Sequence, residues 1–127
     1  MKIRHYHLAL IAVAGIASIA WIVYRLAPSR ILVIVNNHGP ETLRDVTVHV
    51  TGASYDIGDL PPGVTKQVRV APTGESGVMI EFADATGKRV HSEWFGYFEA
   101  GYGGSVRLDW ENGRVESEGW RPDSRYY

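Results

Sequence analysis

Residues 8–24, LALIAVAGIASIAWIVY, run without a charge or a proline, and their polar side-chain groups are the hydroxyls of Ser18 and Tyr24. At about 1.5 Å per residue, a helix over this run covers most of a hydrocarbon core of about 30 Å, and His7 and Leu26 extend it to spanning length. The sequence therefore predicts a transmembrane signal anchor over residues 8–26, preceded by a cytoplasmic n-region (1–7) and followed by a short linker (27–30). A cleavable signal peptide would begin in the same way, and Ser18-Ile19-Ala20 has the small-x-small form of a cleavage site. Against cleavage, Trp21, Ile22, Val23 and Tyr24 continue the apolar run beyond that point, and aromatic rings followed by Arg25 are how a spanning helix meets the headgroup layer.

Lys2, Arg4 and the terminal amine face Arg25 and Arg30 across the segment, a nearly balanced count. The expected orientation keeps the N-terminus in the cytoplasm. The body would then stand outside the cytoplasmic (inner) membrane, in the periplasm of a Gram-negative cell. Ala14 and Ser18 form a small-x-x-x-small pair that could let two helices approach, although such pairs are common in alanine-rich segments.

Four of the 13 Lys and Arg flank the anchor, leaving nine beyond residue 30 against all 14 Asp and Glu, a balance of −5. Such a body has no electrostatic attraction for phosphodiester backbones or anionic lipid surfaces, so nucleic acid is not an expected partner. The absence of cysteine removes thiol catalysis, disulfides and thiolate zinc sites together. It does not argue for the cytoplasm, because a domain of nearly a hundred residues can be stable without staples.

From Ile31 the apolar residues switch to period two, punctuated by glycine, proline and asparagine. Residues 31–35, ILVIV, are apolar throughout, as a strand covered on both faces would be. Val46, Val48 and Val50 alternate with Thr47, His49 and Thr51. Tyr55, Ile57 and Leu60 make a third strand, and Val64, Val68 and Val70 a fourth with Lys66, Gln67 and Arg69 outward. Val78, Ile80 and Phe82 make a fifth. Asp84-Ala85-Thr86-Gly87 has the turn chemistry to begin a hairpin. Val106, Leu108 and Trp110 face one way, Arg107 and Asp109 the other, and Glu111-Asn112-Gly113 turns into a last short strand near 114–116. The expected fold is all-β, an immunoglobulin-like β-sandwich of seven or eight strands over residues 31–116. Residues 117–127 read as a C-terminal tail in which Trp120, Tyr126 and Tyr127 are suited to docking on the domain, the bilayer or a partner.

Catalytic patterns are missing. Histidines 38, 49 and 91 have no metal-ligand spacing, and surface histidine is the simpler account. Gly74-Glu75-Ser76-Gly77 lacks the final glycine of a nucleophile elbow, which Val78 replaces. Gly101-Tyr102-Gly103-Gly104 lacks the spacing and following helix of a phosphate loop. The carboxylate pairs Asp56 and Asp59, and Glu116 and Glu118, read as local surface charge. No enzyme activity, metal or cofactor is expected.

One stretch stands apart: residues 94–104, WFGYFEAGYGG. In an extended strand Trp94, Gly96 and Phe98 would point one way and Phe95 and Tyr97 the other, placing rings on both faces of a sheet that buries one. Phe95, Tyr97 and Tyr102, with Glu99 between the rings, are therefore the candidate partner-binding residues, for protein or glycan. The expected role is a non-catalytic binding or accessory subunit of an envelope protein complex. An immunity-type protein that occludes a toxin and an envelope hydrolase are the rival classes. The topology has a direct check: the full-length protein should fractionate with membranes, and protease added outside spheroplasts should degrade the body. A protected body would reverse the orientation, and a soluble form beginning at Trp21 would establish cleavage.

Overall fold

The computed structural model describes residues 3–26 and 30–123. The expected tail residues Tyr126 and Tyr127 lie outside the described residues. An α-helix, α1 (Ile3–Leu26), precedes nine strands: β1 (Arg30–Asn37), β2 (Leu43–Val50), β3 (Ala53–Leu60), β4 (Thr65–Val70), β5 (Ser76–Ala83), β6 (Arg89–His91), β7 (Phe95–Phe98), β8 (Gly103–Glu111) and β9 (Arg114–Pro122). At about 36 Å, α1 is long enough to cross a bilayer, and its window Tyr6–Val23 meets the length and composition for doing so while burying nothing against the body. Within it the Ser18 hydroxyl donates to the Ala14 carbonyl at 2.8 Å, satisfying a polar group inside the segment itself.

The body is mostly β and has two sheets. One runs β4-β1-β8-β9, with β1 and β8 parallel; the other runs β3-β2-β5-β6, with β7 also paired to β5. The period-two valines account for the core. Ile31, Val33 and Val35 of β1, Val46 and Val48 of β2, Val78, Ile80 and Phe82 of β5 and Val106 and Leu108 of β8 form one buried cluster with Phe98. Trp110 is half-buried at its rim, edge-on to Phe82 with ring centroids 4.9 Å apart.

Register sorts the connections to two ends of the body. Arg30 lies opposite Gly103, Gly104 opposite Pro122, and Ser76 opposite Phe98. The strand that leaves α1 thus starts at the same end as residues 51–52, 71–75 and 99–102. The other end carries residues 38–42, 61–64, 84–88 and 111–113. It is organised by Asn37, whose buried amide donates to the carbonyls of Glu41 and Leu60 and accepts from the Gly39 N–H. Asp84 caps its turn by accepting from the Thr86 hydroxyl and from the N–H groups of Thr86 and Lys88. These bonds, the Thr86 hydroxyl foremost, hold its carboxyl below the ordinary value.

Three expectations are corrected. The last strand does not stop near residue 116 but continues to Pro122, so residues 117–122 are sheet rather than tail. Lys66 is not outward: it shares the parity of Val68 and Val70, lies half-buried, and donates from Nζ to the Ile57 carbonyl at 3.0 Å. Residues 31–35 are not buried on both faces, since Leu32 and Ile34 are half-exposed on the outer side.

Val48 lies opposite Ile80, and both are fully buried. Val48→Ala or Ile80→Ala should destabilise the protein by about 1–4 kcal/mol through lost burial and residual cavity. Thr47→Ala, half-exposed on the other face, should stay within about 0.5 kcal/mol. Denaturant melts of the three variants provide the check.

Candidate functional site

The aromatic stretch is shaped by a bulge. Val78 of β5 is opposite Phe95 and Ser76 is opposite Phe98, so two steps along β5 match three along β7. Gly96, at φ +72°, is the extra residue. It resets the alternation: Phe95 packs half-buried against the core, Phe98 is fully buried, and Tyr97 points outward. Phe95 is therefore not part of an exposed set, contrary to strict alternation, whereas Trp94 is exposed.

β9 repeats the device. Leu108 is opposite Ser117 and Val106 opposite Trp120, two steps against three, with Gly119 at φ +85°. The added residue brings Trp120 onto the inner face beside Val106. The two bulges meet there: the Phe98 and Trp120 ring centroids are 5.3 Å apart, and Tyr102 continues the stack at 6.3 Å from Trp120. A Cβ built on Gly104 would lie 2.7 Å from the indole, so this position has room only for glycine beneath the ring.

Tyr97 is 55% exposed, Tyr102 42% and Trp94 55%, and among the described residues of the body these are the exposed large apolar side chains. The Tyr97 hydroxyl donates to Glu99 Oε1 at 2.9 Å, and the Tyr102 N–H donates to the Glu99 carbonyl at 3.1 Å, so Glu99 ties the two tyrosines together. The hydrogen bond to Glu99, desolvation and the Glu75 carboxylate together hold the Tyr97 phenol well above its ordinary value. The phenol O–H is thus engaged with Glu99. Of the four candidate residues, Tyr97, Glu99 and Tyr102 are linked by hydrogen bonds and Phe95 packs against the core instead. Glu75 and Trp120 are the members that sequence reasoning did not place here. The signal for Trp120 was Gly119 one residue before it, the same Gly-aromatic juxtaposition as in the bulge of β7.

Other polar groups are paired within the fold. Ser76 sits at the start of β5, accepting from the Thr51 N–H at 2.9 Å and donating to the Gly77 carbonyl. His49 bridges Ser54 and Glu81, and Arg89 reaches the other Glu81 oxygen at 3.2 Å. The His49 and Arg89 bonds hold the Glu81 carboxyl below its ordinary value. No group of three or more metal-ligating side chains is found among the described residues.

No family model and no curated protein matches the chain. Among solved structures, an NMR structure of a protein from Eubacterium rectale shares 11% identity and superposes with a TM-score of 0.43, covering 75% of this chain and 89% of that one.

The bulge has a steric requirement on its partner strand. A Cβ on Gly77 would come within 2.9 Å of the Phe95 carbonyl oxygen and 3.1 Å of that of Gly96, whereas a Cβ on Gly96 has ordinary contacts and is opposed only by its positive φ. Gly96→Ala should cost about 1–2 kcal/mol, the left-handed penalty for an L-residue. Gly77→Ala should cost more and detach β7, which thermal melts and amide exchange at residues 95–98 will show.

Proposed function

We propose that this chain is a membrane-tethered, non-catalytic binding or accessory subunit of a protein complex in the cell envelope. On this reading α1 is retained as an anchor, and the body, an immunoglobulin-like sandwich in size and layering with a strand order of its own, is displayed outside the cytoplasmic membrane. Its working surface is Tyr97, Glu99 and Tyr102. The observation that carries this reading is that the exposed large apolar side chains of the described body fall within one nine-residue segment, 94–102, held on a double glycine bulge rather than scattered over the surface. Rigid rings fixed by hydrogen bonds and stacking lose little freedom on binding, which favours them as interface anchors. Paired carboxylates at Glu75 and Glu99 favour a partner that brings hydrogen-bond donors or positive charge.

Tyr97→Ala and Tyr102→Ala, neither ring belonging to the buried core, should retain the fold and weaken binding of the native complex by about 2 kcal/mol or more, over tenfold in affinity. Trp110→Ala, removing the ring packed on Phe82, should lower the melting temperature strongly and is the folding control. Melts paired with co-purification from mild detergent decide the matter. Early melting of both tyrosine variants, or full retention of every partner by both, would refute the assignment. A stoichiometric membrane complex supports the accessory role, whereas capture of an incoming toxin would move the protein to the immunity class.

A further inference from the structure

The exposed indole of Trp94 has no part in the tyrosine surface, yet it stands over a cavity. With Phe95 and Phe98 turned inward and Gly96 taken up by the bulge, Trp94 and Tyr97 are successive outward side chains of their segment. The outward residues of the adjoining β5 are Gly77, Met79 and Glu81, half-buried between the inward Ser76, Val78, Ile80 and Phe82. Met79, His91, Ser92, Glu93 and Trp94 line a cavity of about 370 Å³, with the thioether of Met79 and the indole as its apolar surfaces. Below it along β5, the carbonyl oxygens of Phe95 and Gly96 lie over Gly77 in the place a side chain would take. One step further, Glu75 precedes Ser76 as Glu99 follows Phe98, and both carboxylates act on the Tyr97 phenol.

Charge selects the occupant. The Glu93 carboxylate has no hydrogen bond or ion pair among the described residues, and Glu75 and Glu99 have no ion pair there, since they meet the uncharged phenol of Tyr97. The arginines of this sheet, Arg44 and Arg89, both lie opposite Ala83 at the far end of β5, where Glu81 holds Arg89. Arg30 and Arg121 share the near end but belong to the other sheet, and Arg121 is ion-paired with Glu118. His91, at the cavity margin, has its Nδ1 3.2 Å from the Ser92 carbonyl oxygen. We propose that the cavity between Met79 and Trp94 seats an arginine side chain of the protein partner, its stem on Met79, its guanidinium flat on the indole and its N–H groups on Glu93. Residues 79 and 75 are four apart, roughly 13 Å along the strand. An extended partner segment with a second arginine four residues from the first therefore reaches Glu75 and Glu99 beside Tyr97. This rests on the binding role proposed above and gives its partner a chemistry.

The test uses full-length protein with isotope-labelled tryptophan in dodecyl maltoside micelles, at a pH where histidine is neutral. It is titrated with a capped seven-residue peptide of serine and threonine that carries arginine at its second and sixth positions, and with the citrulline and lysine counterparts. The readout is the indole N–H resonance of Trp94, assigned through Trp94→Phe. The arginine peptide should shift it and bind about fivefold or more tighter than the citrulline peptide, with the lysine peptide between them. Glu93→Gln and Glu99→Gln should each weaken arginine binding by about fivefold, whereas Glu111→Gln, the same charge change in the turn at the opposite end, should weaken it by less than about twofold. Melting temperatures of the variants are measured alongside. Equal affinity for arginine and citrulline, or for arginine and lysine, would overturn the proposal, as would equal losses at Glu93, Glu99 and Glu111. A shift produced by chitotriose and not by the arginine peptide would overturn it in favour of a glycan. Co-purification of the native complex separates this proposal from the reading beneath it. Loss of the partner on Trp94→Ala or Glu93→Gln supports the arginine site; retention by both, where Tyr97→Ala loses the partner, refutes the site alone. Retention by the Tyr97 and Tyr102 variants refutes the binding role, and the arginine partner with it.

Discussion

The parallel pairing of β1 with β8 holds the body together. It joins residues 30–37 to residues 103–110 and makes β1 an interior strand of its sheet, flanked by β4 on the other side. Around it the buried faces of Ile31, Val33 and Val35 meet those of Val106 and Leu108, and the ladder ends where the His38 N–H reaches the Trp110 carbonyl at 2.9 Å. The pairing also sets direction. Because the two strands run the same way, the start of β1, which leaves the helix, and the start of β8, which follows Tyr102, share one end of the molecule. Antiparallel pairing would have put Tyr102 at the far end, away from Arg30.

Polar groups near this frame are satisfied with few side chains. Asn36 donates from its amide to Asp109 at 2.5 Å and accepts from the Thr65 hydroxyl, linking three strands on the outer face. Asn37, facing the core end, binds two backbone groups of the turn beyond it and the Leu60 carbonyl at the end of β3. Gly39 passes close to Trp110, where a Cβ would lie 2.9 Å from the indole. No buried side-chain nitrogen or oxygen lacks a hydrogen-bond partner among the described residues, which is what a small core without disulfides requires.

The regular strands were legible because Val46, Val48 and Val50 of β2 and Val78, Ile80 and Phe82 of β5 alternate with Thr47, His49, Met79 and Glu81, and the turns carry Gly87, Asn112 and Gly113 where positive φ is needed. The helix was legible from its unbroken apolar run. What escaped were the places where a glycine adds a residue. Period two assigned Phe95 outward, and it holds on each side of Gly96 but not across it; the same shift at Gly119 turns Trp120 inward and extends β9 through a stretch too irregular to read as strand. Tyr97 and Tyr102 were identifiable as unusual rings, but their connection through Glu99 depends on a chain reversal that alternation does not encode. Lys66 was hidden differently: its charge argued for solvent, while its long aliphatic stem lets it lie on the inner side and deliver the ammonium to a carbonyl at the margin.

The interior position of β1 also governs when the body can fold. Synthesis proceeds from the N-terminus, so β1 emerges first after the helix, yet its parallel neighbour β8 and the β9 strand beyond it arrive last. Local hairpins such as β2-β3 and β5-β6 can form early, but the sheet built on β1 must close a loop of some 70 residues, and contacts of such separation form late. Until β8 and β9 are delivered, one flank of β1 has no strand to pair with. Completion of the body therefore waits on the last two strands of the chain.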